Sequence, residues 1–326
     1  MNLYISNFSL IYLVKSRYTY LFVFVLLLGG VTKEWIDKSR QESEGTSHIS
    51  RMFWLRKTFA ESNYDFVIAG DSRAYCGVSP AYVSDFLQSA RGINLGYPLV
   101  GWTEEYCHLI EDKLDPDGMR IIILGVSPHS LLESALANSS LRQYMDTPPL
   151  ESLLVSQCPT LVSWFSSIKI MDVIFFALHR GPFVPSIELC QLERQIGHNN
   201  GWIESWADVV KTEGSINFYR RKFENEQISE DVLGFLCERI SKWNNEGIRV
   251  FCIRLPASRE IEKIENIQSG FVEGVVATSV VDAGGNWLFL DGRQSYHTYD
   301  GSHLSREDAI RLSRYLGSII NEHLQN

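Results

Sequence analysis

Three side chains in this sequence have the types and settings that acyl transfer uses. Ser72 stands in Phe66-Val67-Ile68-Ala69-Gly70-Asp71-Ser72-Arg73, where an apolar run passes straight into Gly-Asp-Ser. Asp300 and His303 lie three residues apart in Asp300-Gly301-Ser302-His303-Leu304, ahead of a capped helix start. A hydroxyl is a weak nucleophile until an imidazole takes its proton, and the imidazole needs an acceptor that fixes its tautomer. Asp300 and His303 can supply that pair locally. Backbone N–H groups at Ser72 and Gly96 can stabilise an oxyanion, glycine permitting close approach. Gly-Asp-Ser and Asp-Gly are also ordinary turn sequences, so their position in the fold decides their meaning. His297 is a rival base, and the spacing to the last helix favours His303.

The elements that must position these residues follow from the apolar pattern. Five short runs read as strands: Asp65 to Ala69, Gly92 to Leu95, Arg120 to Gly125, Ile248 to Ile253 and Trp287 to Leu290. They alternate with amphipathic segments, which predicts βαβ units, and their near-continuous hydrophobicity predicts a buried parallel sheet. Ligands of such a sheet sit beyond the carboxyl ends of the strands. Those ends deliver Gly70-Asp71-Ser72-Arg73, Asn94-Leu95-Gly96-Tyr97, Gly125-Val126-Ser127-Pro128 and Arg254-Leu255-Pro256, and Asp300 to Leu304 follow the fifth strand. Among the helices, Ser79 and Pro80 predict a start, with Val78 stapled to Val83. Glu230 to Asn245 places Val232, Leu233, Leu236, Ile240 and Trp243 on one face, closed by Gly247. Ser305-Arg306-Glu307-Asp308 opens the last helix, continued by Ala309, Leu312, Leu316 and Ile319.

The ordered set Gly-Asp-Ser, Asn-Leu-Gly and Asp-Gly-Ser-His-Leu resembles the SGNH or GDSL hydrolase family over residues 65 to 318, outside a long excursion. The resemblance implies a flavodoxin-like three-layer α/β sandwich with a five-stranded parallel sheet. It also implies Ser72 as nucleophile, Asp300 and His303 as the rest of the triad, and Ser72 and Gly96 as oxyanion donors. The third block departs from the family's Gly-x-Asn-Asp, and Ser127 offers one hydroxyl where an amide is expected. With an N-terminal anchor, the set is similar to a membrane-anchored subgroup associated with acetylation or other acyl decoration of bacterial cell-surface polysaccharides. That subgroup implies a carbohydrate ester substrate, a membrane-bound O-acyltransferase as partner and no cofactor. For Arg73 and Arg254 two readings stand: contact with an anionic or hydroxyl-rich substrate, or a salt bridge within the domain.

The rest of the chain bounds these expectations. Its 326 residues, 45% of them hydrophobic, suffice for one large core. A net charge of −9 without a basic stripe argues against nucleic acid as a partner. Tyr18 to Val31 carries no charge and follows Lys15 and Arg17, which predicts a membrane-directed segment. With no A-x-A-like site after Leu28, an uncleaved signal anchor is favoured over a cleaved signal. Lys33, Lys38 and Arg40 on the far side leave orientation open on charge alone. A single early hydrophobic segment usually sends the following chain across, which favours an extracytoplasmic main domain. The expected organisation is a tail and transmembrane anchor over 1–36, a linker and lead-in over 37–60, and the α/β domain over 61–326.

Pro128 to Ile228 is too long for an ordinary crossover and reads as an insertion between the third and fourth strands. Its Trp164 to Leu178 portion reads as a buried helix, with a partner or membrane surface as the alternative. The six cysteines lack C-x-x-C spacing, which gives a zinc site little support and neither demands nor forbids a disulfide. Glu104, His108 and Glu111 can share a helix face, read as solvated rather than metal-binding. Arg220-Arg221-Lys222 is read as surface. Two functional classes remain: a serine esterase or O-acyltransferase, and a noncatalytic binding or assembly subunit that keeps the fold. A cytoplasm-facing, lipase-like enzyme is a third reading that rests on the undecided charge count.

Overall fold

Seven strands form one sheet and one hairpin in the computed structural model, which describes residues 51–137, 141–147, 195–206 and 212–325. They are β1 (Phe66–Gly70), β2 (Gly92–Asn94), β3 (Ile121–Gly125), β4 (Gln195–Gly197), β5 (Ile203–Ser205), β6 (Arg249–Ile253) and β7 (Asn286–Trp287). The sheet runs β2-β1-β3-β6-β7 and is parallel throughout, while β4 and β5 pair antiparallel. With the hairpin set aside, this is the 2-1-3-4-5 order of flavodoxin-like sheets.

Period-two alternation divides the strand side chains between two cores. Val67, Ala69, Ile122, Leu124, Val250 and Cys252 join one cluster, and Phe66, Ile68, Ile121, Ile123, Phe251 and Ile253 join the other. The helices that follow add apolar side chains to these two cores, while Ala135, Tyr219, Phe223 and Ile261 lie in a third, smaller cluster. The first cluster takes Tyr106 and Ile110 of Glu104–Lys113, Leu236 and Trp243 of Glu230–Asn245, and Val276 and Val280 of Glu273–Asp282. The second takes Ala74 of Ser72–Gly77, Val83 of Pro80–Ser84, and Leu312, Leu316 and Ile320 of Arg306–Gln325. Helices thus cover the sheet on both faces, which is why all five residues of β1 and of β3 are buried.

In chain order the helices are α1 (Arg51–Thr58), α2 (Ser72–Gly77), α3 (Pro80–Ser84), α4 (Glu104–Lys113), α5 (Glu133–Leu136) and α6 (Arg142–Met145). Then follow α7 (Glu213–Glu224), α8 (Glu230–Asn245), α9 (Arg259–Gln268), α10 (Glu273–Asp282) and α11 (Arg306–Gln325). Gly247, with φ +78°, closes α8 as its spacing predicts.

Three local expectations change. Ser79 stands ahead of α3, but its hydroxyl makes no cap bond; its N–H donates to Ser313 Oγ at 2.8 Å, tying α3 to α11. The edge strand β7 spans two residues rather than four: Leu288 N–H still reaches Cys252 O at 2.8 Å, and the chain then leaves the edge. Asp308 does not close the box at the start of α11 on Ser305 N–H, which donates to His297 O; the Asp308 carboxylate accepts from His297 N–H at 2.6 Å instead.

Residues 1–50, with the expected anchor and most of the linker, lie outside the described residues, as does Trp164 to Leu178. Among the described residues, no helix is long and apolar enough to cross a membrane. The described part of the excursion returns to the sheet. Asn94 N–H donates to Asn200 O at 2.7 Å, and Trp202 Nε1 donates to Cys76 O at 3.0 Å. Cys76, Cys107, Cys237 and Cys252 carry thiols rather than disulfides.

Candidate active site

The strand-to-helix turn that carries Ser72 needs its glycine. Gly70 ends β1 with φ +139°, and a Cβ there would lie 2.6 Å from Gly125 O on the neighbouring strand. Asp71 then caps α2, accepting from Arg73 N–H at 3.0 Å, which makes Ser72 the first residue of that helix. Ser72 is half-buried, and its backbone N–H belongs to the helix's unpaired first turn. Among the described residues its side chain makes no hydrogen bond.

The second half of the site is built within one loop. Gly301, with φ +90°, lets the chain fold back so that the Asp300 carboxylate reaches three groups. Oδ1 accepts from Ser302 N–H and His303 N–H, both at 2.8 Å, and Oδ2 meets His303 Nδ1 at 2.6 Å. Burial opposes the charge on Asp300, but the hydrogen bonds from His303 and the loop backbone outweigh it and hold the carboxyl below its usual range. With Nδ1–H donating to Asp300, Nε2 is the basic face of the ring. That Nε2 is buried and has no partner among the described residues. Tyr299 stacks on the imidazole at a centroid distance of 5.8 Å.

Three loops converge around α2. Arg73 Nε donates to Ser302 Oγ at 3.3 Å, joining the residues next to Ser72 and His303. A Cβ on Gly96 would lie 2.9 Å from Tyr75 N and 3.0 Å from Asp71 O, so that glycine allows the β2 turn to approach. Ser127 Oγ donates to Asp71 Oδ2 at 2.5 Å, bringing in the β3 turn.

The expected oxyanion donors are differently placed. Gly96 N–H donates to Asn94 Oδ1 at 2.9 Å. Ser127 has a single hydroxyl proton and directs it to Asp71. Of the three expected donors, the Ser72 N–H in the first turn of α2 is the one without a hydrogen bond among the described residues.

Arg73 and Arg254 correct the substrate-contact reading in favour of an ion pair within the domain. They are 2% and 3% exposed, and they share Glu265, at 2.6 Å from Arg73 Nη2 to Oε1 and 2.8 Å from Arg254 Nη2 to Oε2. Burial opposes the Glu265 charge, and the two guanidiniums overcome it and keep the carboxyl ionised below its usual range.

Three neighbours of the site escape sequence reasoning. Lys57 of α1 is buried, donating to Gly96 O at 2.5 Å and Gly201 O at 3.2 Å. The rings of Phe53, Trp54, Tyr75 and Tyr97 surround it, with centroids 5.1–5.6 Å from Nζ. Its burial drives the amine well below its usual pKa. Tyr219, on the excursion helix α7, places its hydroxyl 2.8 Å from Ser302 Oγ. His129, two residues after Ser127, is buried with Nδ1 unpartnered, and burial pushes its imidazole pKa down against the pull of Asp71. Only the closeness of His129 to Ser127 in sequence could have drawn attention to any of them.

The rival constellations go elsewhere. His297 is 86% exposed and pairs with Asp308 at 3.0 Å. His108 lies 3.1 Å from both Glu104 and Glu111 on α4, where Arg239 and Lys242 of α8 take the same carboxylates.

Fold and site define an α/β chain in which a carboxylate–imidazole pair adjoins a serine-bearing strand-to-helix turn. Comparison with known families, curated proteins and solved structures returns no match.

Proposed function

We propose that this chain is an SGNH-type serine esterase or O-acyltransferase acting on acyl esters, acetyl above all, of cell-surface or exported polysaccharide. The observation that carries the reading is the buried, unpartnered Nε2 of His303, oriented by Asp300 next to the Gly-Asp-Ser turn. In this reading His303 Nε2 takes the Ser72 proton as Oγ attacks the acyl carbonyl, and Asp300 stabilises the imidazolium. The tetrahedral oxyanion is met by the Ser72 N–H and the positive end of α2. His303 then protonates the departing alkoxide, leaving an acyl ester on Ser72. Attack by water gives hydrolysis; attack by a sugar hydroxyl gives transfer. The N-terminal hydrophobic segment supports placement as a single-pass protein of the bacterial cell membrane, main domain outside the cytoplasm, beside a membrane-bound O-acyltransferase.

A second reading, a noncatalytic SGNH-like binding or assembly subunit of a polysaccharide-modification complex, is favoured by one feature. Gly96 N–H and the Ser127 hydroxyl are committed within the protein. Labelling of the purified protein by a fluorophosphonate, with Ser72→Ala and His303→Ala as controls, separates the two. Labelling that both substitutions abolish is the expected result. A wild-type protein that takes no label and cleaves no simple acetyl ester leaves the binding reading.

A further inference from the structure

Ser72 and His303 are far apart in sequence, and neither the Ser72 side chain nor His303 Nε2 has a hydrogen bond to hold it to the other. Their relative position is set by their neighbours. Arg73 Nε bonds Ser302 Oγ at 3.3 Å across 229 residues of chain, and Ser302 N–H bonds the carboxylate that holds the His303 ring. The path from nucleophile to base is therefore Ser72, Arg73, Ser302, Asp300, His303, with the Arg73–Ser302 contact as the direct side-chain link between its two halves.

That contact is braced on all sides. Arg73 Nη2 is fixed by Glu265 of α9, whose other oxygen is held by Arg254 at the end of β6. Arg254 Nη1 continues to Asn266 Oδ1 at 2.8 Å. The Tyr219 ring lies 5.0 Å from Arg73 Cζ, while its hydroxyl reaches Ser302 Oγ at 2.8 Å. A guanidinium only donates, so Ser302 Oγ must accept from Arg73. A planar, forked cation bound at two of its nitrogens has little freedom to rotate.

We propose that Arg73 and Ser302 are positioning residues: clamped by Glu265, their contact sets the approach of Ser72 to His303. The inference rests on the serine-hydrolase reading and assigns both residues a role beyond packing. A shift of a few tenths of an ångström at a proton-transfer contact costs rate while leaving substrate affinity largely unchanged.

The test uses the full chain in detergent, reading fluorophosphonate labelling rate, kcat and KM for a simple acetyl ester, and Tm. Ser302→Ala leaves the ion pairs intact; it is expected to lower kcat and labelling rate at least tenfold, with KM within about twofold of wild type. Ser302→Thr, which keeps the hydroxyl, is expected to restore most of the rate, which a purely structural role does not require. Arg73→Lys keeps the charge without the fork and is expected to show the same kcat loss; it carries the test should Ser302→Ala fail to fold. Folded Ser302→Ala with wild-type kcat, loss shared equally by KM, or no rescue by threonine overturns the inference and leaves the hydrolase reading standing. A wild type that takes no label and cleaves no ester overturns that reading, and this inference with it.

Discussion

At the scale of single residues, the two aspartates of the site do different work. Asp300 holds the imidazole, so under the proposed serine-hydrolase reading Asp300→Asn is expected to lower kcat for ester cleavage by about 10⁴, the scale of a wrong tautomer, with the fold retained. Its lowered pKa also carries a stability term with a definite sign. That term is fully present above the unfolded value of about 3.9 and is lost as pH falls through the folded value. Acid-unfolding curves of Asp300→Asn are therefore expected to be flatter in that window. Asp71 instead organises the turn, and Ser127 serves it. Ser127→Ala removes a hydrogen bond to a carboxylate and is expected to cost about 1.5–3 kcal/mol in a denaturant melt. Its kcat is expected to fall by less than about tenfold, whereas loss of an oxyanion donor costs about 10²–10³.

At the scale of elements, the junction of β1 and α2 is the most constrained point near the chemistry. The sheet register brings Gly70 beside Gly125, and that crowding together with a positive φ leaves no room for a side chain. Gly70→Ala is expected to lower the unfolding free energy by at least about 2 kcal/mol, measured from the urea midpoint, because backbone strain and a steric clash act together. The same substitution displaces the first turn of α2, so activity is expected to fall further than stability alone explains. The strands were legible because a buried parallel strand writes itself as a short, unbroken apolar run. The role of Ser79 was not, because its backbone N–H bonds Ser313 on α11, a partner 234 residues away, while its hydroxyl makes no cap bond.

At the scale of the whole molecule, Lys57 joins three distant parts: the lead-in helix α1, the β2 turn at Gly96 and the excursion at Gly201. Its pKa is depressed by burial, so between the folded value and the ordinary lysine value of about 10.5 the unfolded chain binds more protons than the folded one. Stability is therefore expected to rise with pH across that window, by up to about 1.4 kcal/mol per unit. Lys57→Met, which fills the aromatic box without an amine, is expected to remove this rise. Comparing urea midpoints of the two proteins between pH 7 and 9.5 checks it below the tyrosine range. Equal slopes would show that Lys57 does not titrate differently in the two states.

Local geometry was readable from the sequence alone. Asp300 and His303 meet within one loop, and the Gly-Asp-Ser turn follows directly from the run that makes β1, so three or four neighbouring residues carry the information. The parallel sheet was readable because its hydrophobic pattern is intrinsic to each strand. What only tertiary structure decided is where polar groups find partners. Arg73 and Arg254 turn inward because Glu265, on a helix 192 residues beyond Arg73, lies between them. Ser127 serves Asp71 because β1 and β3 are adjacent. A buried charge or hydroxyl must be paired, and which partner pairs it depends on chain segments that sequence distance does not relate.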